Sequence, residues 1–158
     1  MKKNKKMERT LVIIKPDALQ RNLIVEIISR FERKGLKIVG CKMIRLDDVL
    51  LTEHYAHHKD KPFFSNIKEF MKHSPVIIMV LQGGGAIQGV RLIAGATKGV
   101  EADAGTIRGD LAMSNQNLVH ASDSKEAAED EIRRFFTEDE LFIYQKVDEC
   151  MIYEEVPF

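Results

Sequence analysis

Two short runs constrain this chain more than any other feature. From Thr10 to Lys15, an extended strand would carry Thr10, Val12 and Ile14 on one side and Leu11, Ile13 and Lys15 on the other, so both sides are largely apolar. Val76 to Leu81 is apolar without interruption. Strands of this kind belong in the middle of a sheet. Pro16 has no N–H to give a ladder and stops the first run. Lys15 is then left at the end of a buried strand, where its charge needs an anion, or water reached by snorkelling.

The remaining segments arrange themselves around these strands. Asn22 is placed to cap a helix whose face is Leu23, Ile24, Ile27, Ile28 and Phe31, closed by Gly35. β-Branched residues between 36 and 46 predict a second strand. Asp47 or Asp48 then caps a helix to about His58, and Pro62 suits the first position of another. A helix is expected over 86–94, with Arg91 near its inward positions. Residues 95–116 show no clear period, which in a compact domain points to function or disorder. A brief strand, 118–120, precedes a helix capped by Asp123 or Ser124. Thr137 and Glu140 form a capping-box pattern.

This order reduces to βαββαβ with additional helices. It favours the α/β class, in the form of a ferredoxin-like α+β sandwich: a four-stranded antiparallel sheet with helices on one face. A parallel doubly wound sheet is the alternative. The 158 residues suffice for one core. The short basic stretch 1–7 is expected to be disordered or frayed, with residues 8–158 forming a single domain that includes the C-terminal tail.

Lys plus Arg and Asp plus Glu are 24 each, so no global charge draws the chain to nucleic acid or to an anionic membrane. No apolar run approaches a membrane span, and the expected home is the cytoplasm. Cys41 and Cys150 lie in apolar surroundings and are expected to be buried free thiols. The expected central strands carry no aromatic residue, which argues against an RNA-recognition domain.

The stretch from Asn117 to Asp123 carries the chemistry. It puts His120 where a strand ends and a helix begins, and backbone N–H groups at such a corner can face an anion. With one ring nitrogen held, the other can act as a nucleophile. A packed, hydrogen-bonded histidine is the alternative. Lys15, Arg91, Thr97, Arg108 and Asn117 could join it as a polyphosphate-binding set. Arg91 and Arg108 could instead pair structurally with Glu101, Asp103 or Asp110. His54 and His58 have a metal-binding spacing, but His54, His57 and His58 read better as a solvated helix face. Gly83-Gly84-Gly85 lacks the Walker pattern and reads as a flexible turn.

Several motifs together resemble the nucleoside diphosphate kinase family, over nearly the whole chain from Glu8 to Glu154. Asn117 to Asp123 matches the family's N-x-x-H-[GA]-S-D signature. The other matches are the run from Thr10 to Asp17, His54-Tyr55, Lys61 to Phe64, and Gly105 to Asp110. The resemblance implies that His120 takes the γ-phosphoryl group from a nucleoside triphosphate and passes it to a nucleoside diphosphate by a ping-pong route. Glu131, helped by Ser122, would orient the ring. Lys15, Arg91, Thr97, Arg108 and Asn117 would bind phosphates and ribose. Tyr55 would lie near the phosphates and Phe63 would stack on the base. Magnesium would be held through the nucleotide phosphates, with no protein metal ligand expected. A homo-oligomer, a hexamer, is implied, with the long loop and apolar tail meeting neighbouring subunits. A non-catalytic nucleotide-binding regulatory protein of the same fold is the alternative. The second base-stacking position is open between Ser114 and Asn115. Gly99 and Ala104 stand where relatives often carry proline, which predicts a loosened loop that Gly99→Pro would stiffen.

Overall fold

The computed structural model describes residues 7–154 and Val156. Four strands, β1 (Met7–Ile14), β2 (Lys37–Ile44), β3 (Val76–Gly84) and β4 (Val119–Ala121), form one sheet in the order β2-β3-β1-β4. Every pairing is antiparallel, so the parallel alternative is excluded. The two apolar runs are the central strands, and Thr10 to Ile14 is buried throughout.

Among the described residues there are eight α-helices: α1 (Pro16–Gln20), α2 (Ile24–Arg33), α3 (Asp48–His54), α4 (Phe64–Lys72), α5 (Ala86–Ala94), α6 (Ile107–Leu111), α7 (Lys125–Phe135) and α8 (Glu149–Ile152). They cover both faces of the sheet, not one. Val12, Ile14, Met79 and Leu81 pack against Ile27 and Phe31 of α2 and Val90 of α5. Leu11, Ile13, Ile78 and Val80 pack against Leu51, Met71 and Ile132 from α3, α4 and α7. A strand apolar on both sides needs a cover on each, and one helical layer would leave half of β1 and β3 wet.

Other expectations are corrected locally. Asn22 does not cap α2; it sits at φ 56° in the tight link from α1, a region that asparagine tolerates. The helix expected to start at Pro62 starts at Phe64. The expected turn at Gly83 and Gly84 is the end of β3, with Gly83 paired to Glu8 and Gly84 to Met7, and Gly85 makes the left-handed step into α5. Cys41 is free but exposed, and Cys150 is only half-buried. A register shift between Ile38 and Gly40 interrupts the alternation of edge strand β2 ahead of Cys41.

The long segment is more ordered than its composition suggests. It holds a 3-10 turn, Gly99–Glu101, and α6, capped by Thr106 Oγ1 accepting from Gly109 N–H. Gly99 is buried, its N–H donates to Ser114 O at 3.3 Å, and an added Cβ would lie 2.2 Å from Ala112 O. The loop therefore requires this glycine, and the expected benefit of proline does not hold. Of the frayed terminus expected over 1–7, only Met7 is described, and it opens β1; Phe158 of the tail lies outside the described residues.

Candidate active site

The site forms where β1 and β4 end side by side. Ile13 pairs with His120, and Lys15 N–H donates to Leu118 O at 2.9 Å just beyond β1. Leu118 is fully buried at φ 69°, with Val119 N–H donating to Asn117 O across it. A leucine in this conformation costs on the order of 1–3 kcal/mol. Asp17 helps to hold it, its Oδ2 accepting from Leu118 N–H at 3.1 Å. The turn delivers Asn117 and His120 to the same opening.

His120 is held from behind. Its Nε2 lies 2.9 Å from Glu131 Oε1 on α7, and Ser122 Oγ donates to Glu131 Oε2 at 2.6 Å. Ser122 Oγ also accepts from Leu11 N–H at 3.2 Å, fixing the pair to β1. Burial alone would raise the Glu131 carboxyl, but the bonds to His120 and Ser122 outweigh it and hold it below its ordinary value. An ionised Glu131 can only accept a hydrogen bond, so this geometry assigns the ring hydrogen to Nε2 and leaves a lone pair on Nδ1. α7 can place Glu131 because Ser124 caps it, accepting from Ala127 N–H.

His120 faces a cleft of about 730 Å³. Lys15, Arg91 and Arg108 bring positive charge to it, with Thr97 and Asn117 beside them. Lys15 Nζ donates to Asn117 Oδ1 at 2.7 Å, and Asn117 Nδ2 donates to Thr97 O at 2.7 Å. Burial and then Arg108 push the Lys15 ammonium down to about 8. Burial and then Arg91 push Arg108 down to about 10. The Arg108 guanidinium donates to Asn117 O, Gly95 O and Val119 O at 3.3, 2.9 and 2.7 Å. It forms none of the ion pairs offered by Glu101, Asp103 or Asp110; Glu101 pairs with Lys98 and Asp110 with Arg30. Its charge is therefore left to act on the cleft. A set of cations with neutral donors and crowded positive charge is suited to an anion bearing several phosphates.

Tyr55 and Phe63 line the same cleft, Tyr55 buried and Phe63 45% exposed at the rim. A ring so exposed offers a face for stacking. Burial raises the Tyr55 phenol above its ordinary value. Asn115 and Gln116 border the opening, whereas Ser114 Oγ accepts from Gln116 N–H within the turn.

His54 departs from the expected solvated face. It is 6% exposed and meets the His120 ring edge-on, with centroids 4.5 Å apart. Burial, then His120, pushes it down to about 3, so it is neutral. Helical spacing with His58 hid this, because α3 ends at His54 and the chain turns before His57 and His58. Asp17 is likewise not marked by the sequence, since its place next to Pro16 gives no hint of a bond to a backbone group 101 positions away.

A family model described as nucleoside diphosphate kinase matches residues 8–141. Among curated relatives, a nucleoside diphosphate kinase of Parabacteroides distasonis is 53% identical over 153 residues, covering 96% of this chain and all of the relative. One from Pyrococcus abyssi is 54% identical over 146 residues, covering 90% of this chain and 92% of the relative. Among solved structures, a halophilic nucleoside diphosphate kinase from Halobacterium salinarum in complex with CDP is 46% identical with TM-score 0.90, covering 92% of this chain and 98% of that one. A transition state mimic of the Borrelia burgdorferi enzyme with bound vanadate and ADP is 35% identical with TM-score 0.85, covering 92% and 96%.

Proposed function

The chain belongs to the nucleoside diphosphate kinase family, which moves the γ-phosphoryl group of a triphosphate onto a diphosphate, and we propose that His120 carries that group here as a phosphohistidine. One observation carries the reading: Glu131 holds Nε2 at 2.9 Å, so Nδ1 keeps its lone pair toward a cleft lined with cations. The Nδ1 lone pair attacks the γ-phosphorus. The bond from that phosphorus to the β,γ-bridging oxygen breaks, and the diphosphate leaves. A second diphosphate then reverses the step. No general base is needed, because the attacking nitrogen carries no proton.

The other residues position and neutralise. Lys15, Arg91 and Arg108 bind the phosphates and meet charge on the transferring group, which is the larger part of phosphoryl-transfer catalysis. Thr97 and Asn117 add neutral donors toward phosphate and ribose, and Tyr55 supports the phosphate end. Ser122 acts through Glu131 as a positioning residue. Phe63 stacks on the base, with Asn115 better placed than Ser114 for the opposite side. Stacking tolerates every base. The CDP and ADP held by the two solved relatives, a pyrimidine and a purine, support broad acceptance.

Magnesium would enter on the nucleotide. Asp123 is the one carboxylate among the described residues bordering the cleft, beside several cations, a donor set that fits a metal held by phosphate oxygens. When bound, magnesium neutralises charge on the β- and γ-phosphates. No helix among the described residues is long and apolar enough to cross a membrane, and a cytoplasmic homo-oligomer, a hexamer, is the assembly we propose. The regulatory, non-catalytic alternative is not favoured, because the histidine, its carboxylate and the cations are all in place.

Incubation with γ-labelled triphosphate should give an acid-labile phosphoprotein that discharges to any added diphosphate. His120→Ala should lose both steps and keep its melting transition. Substantial exchange by that variant would overturn the assignment.

A further inference from the structure

Behind the transfer site lies a group of side chains that phosphoryl transfer does not use in full. His54 is 6% exposed, and neither of its ring nitrogens has a hydrogen-bond partner among the described residues. Leaving two polar atoms of one buried ring unsatisfied is costly, and a packed core would be served better by an apolar residue. The ring stands edge-on to His120 at 4.5 Å between centroids. One ligand atom from each of His54, His120 and Glu131 can be chosen so that all three lie within 4.8 Å of one another.

We propose that His54, His120 and Glu131 form an inhibitory site for Zn2+, or a similar imidazole-preferring divalent cation, that switches the transfer histidine off. Two imidazoles and a carboxylate are a known ligand set for zinc, which takes one more ligand, a water molecule, to complete its usual four. Magnesium demands oxygen ligands and does not compete for such a set. Ser122, which donates to Glu131 Oε2 at 2.6 Å, is the outer partner that a ligating carboxylate usually has. The site rests on the reading of His120 as nucleophile only for its effect on activity, not for binding.

The inhibition follows from proton placement. Without zinc, the contact with Glu131 Oε1 at 2.9 Å assigns the ring hydrogen to Nε2. Zinc needs the Nε2 lone pair. The hydrogen must therefore leave Nε2 and, in the neutral ring, reside on Nδ1. Nδ1 then has no lone pair for phosphorus, while zinc gains a lone pair each from His54, His120 Nε2 and Glu131. No bond to phosphorus forms and no electron is transferred.

Titration of the whole, dephosphorylated protein with ZnCl2, read by competition with a chromophoric chelator, should give one tight site per chain that excess MgCl2 leaves filled. X-ray absorption of the loaded protein should show Zn–N and Zn–O distances of about 2.0–2.2 Å from two imidazoles and a carboxylate. Nitrogen-15 spectra should show the His120 hydrogen on Nδ1. His54→Gln should weaken zinc at least about tenfold. Zinc should block phosphoenzyme formation in the parent, and His54→Gln should need correspondingly more zinc for the same loss. The adjacent, less buried His57 and His58 form the rival site. Loss of affinity in a His57→Asn, His58→Asn double variant but not in His54→Gln would overturn the proposal, as would absence of binding or a zinc shell lacking two imidazoles. Zinc bound as described to a protein that forms no phosphoenzyme would leave the site standing and sink the transfer reading instead.

Discussion

Lys15 is the residue whose cost and use are most clearly separated. Its ammonium is held at about 8 against an ordinary 10.5, first by burial and then by Arg108. That gap corresponds to about 3 kcal/mol by which the unliganded fold disfavours the charged form. The sign follows from proton counting. Between about 8 and 10.5 the unfolded chain binds this proton and the folded chain does not, so stability rises with pH across that window. Below it, the penalty is carried in full until phosphates arrive. Lys15→Gln should therefore raise the melting temperature of the free protein at pH 7, with the gain shrinking toward pH 10. It should also cut kcat/KM roughly a hundredfold or more, as loss of one transition-state donor does. In the parent, kcat/KM should fall above pH 8 while kcat, measured with phosphates bound against the lysine, falls later. A glutamine variant less stable than the parent at pH 7 would show that Lys15 is not strained. The sequence did mark Lys15 as a charge at the end of a buried strand, in need of an anion or water, and it lies on the wall of the cleft. The sequence could not reveal His54, because helical spacing implied an open face and the end of α3 is set by tertiary packing.

At the level of elements, the strands were legible because burial on both faces leaves a plain mark, and the helix 86–94 was bounded by glycines that mark its ends. The second helical layer was implied by the same mark but not read from it. The segment 95–116 was opaque for a different reason. Its order comes from backbone and ion-pair contacts with distant residues, not from periodicity. Arg30 of α2 bonds Asp110 Oδ2 at 2.7 Å and Gly105 O at 3.2 Å, and Arg21 donates to Leu111 O at 2.6 Å. Gly99 is locked between Ser114 O and Ala112 O. Gly99→Ala should therefore destabilise by about 1–3 kcal/mol, the usual cost of overpacking, and lower the melting temperature by roughly 2–12 °C. Gly99→Pro should be worse, since it also removes the N–H given to Ser114. Thermal melts of the three proteins test this, and a proline variant that melts higher than the parent would mean the loop has room that this geometry denies it.

For the molecule as a whole, the C-terminal tail raises a question of covering. β2 is an edge strand, and the tail runs along it: Phe142 N–H donates to Val39 O at 2.8 Å and Tyr144 Oη donates to Ile38 O at 2.6 Å. A buried pair, Lys37 Nζ to Glu149 Oε1 at 2.6 Å, pins α8, and Tyr153 Oη donates to Gly35 O at 2.9 Å. Yet this well-anchored segment turns Phe142, Ile143, Val147 and Met151 outward, with Ile143 and Val147 essentially fully exposed. Cys41 and Met43 of β2 are exposed as well. Precise anchoring of apolar side chains toward water costs stability in a lone subunit and is recovered when another copy covers them. Each such side chain buried between subunits contributes about 1.5–3 kcal/mol. The parent should therefore sediment as a closed homo-oligomer, and Ile143→Asp with Val147→Asp should shift it to smaller species by weakening each contact tenfold or more, at roughly 1.4 kcal/mol per factor of ten. The variant should keep its strand signal, because neither side chain belongs to either core cluster. A parent that sediments as a monomer, or a double variant whose assembly is unchanged, would place the subunit contacts elsewhere, with exposed Val100 and Met113 of the long segment the next residues to replace.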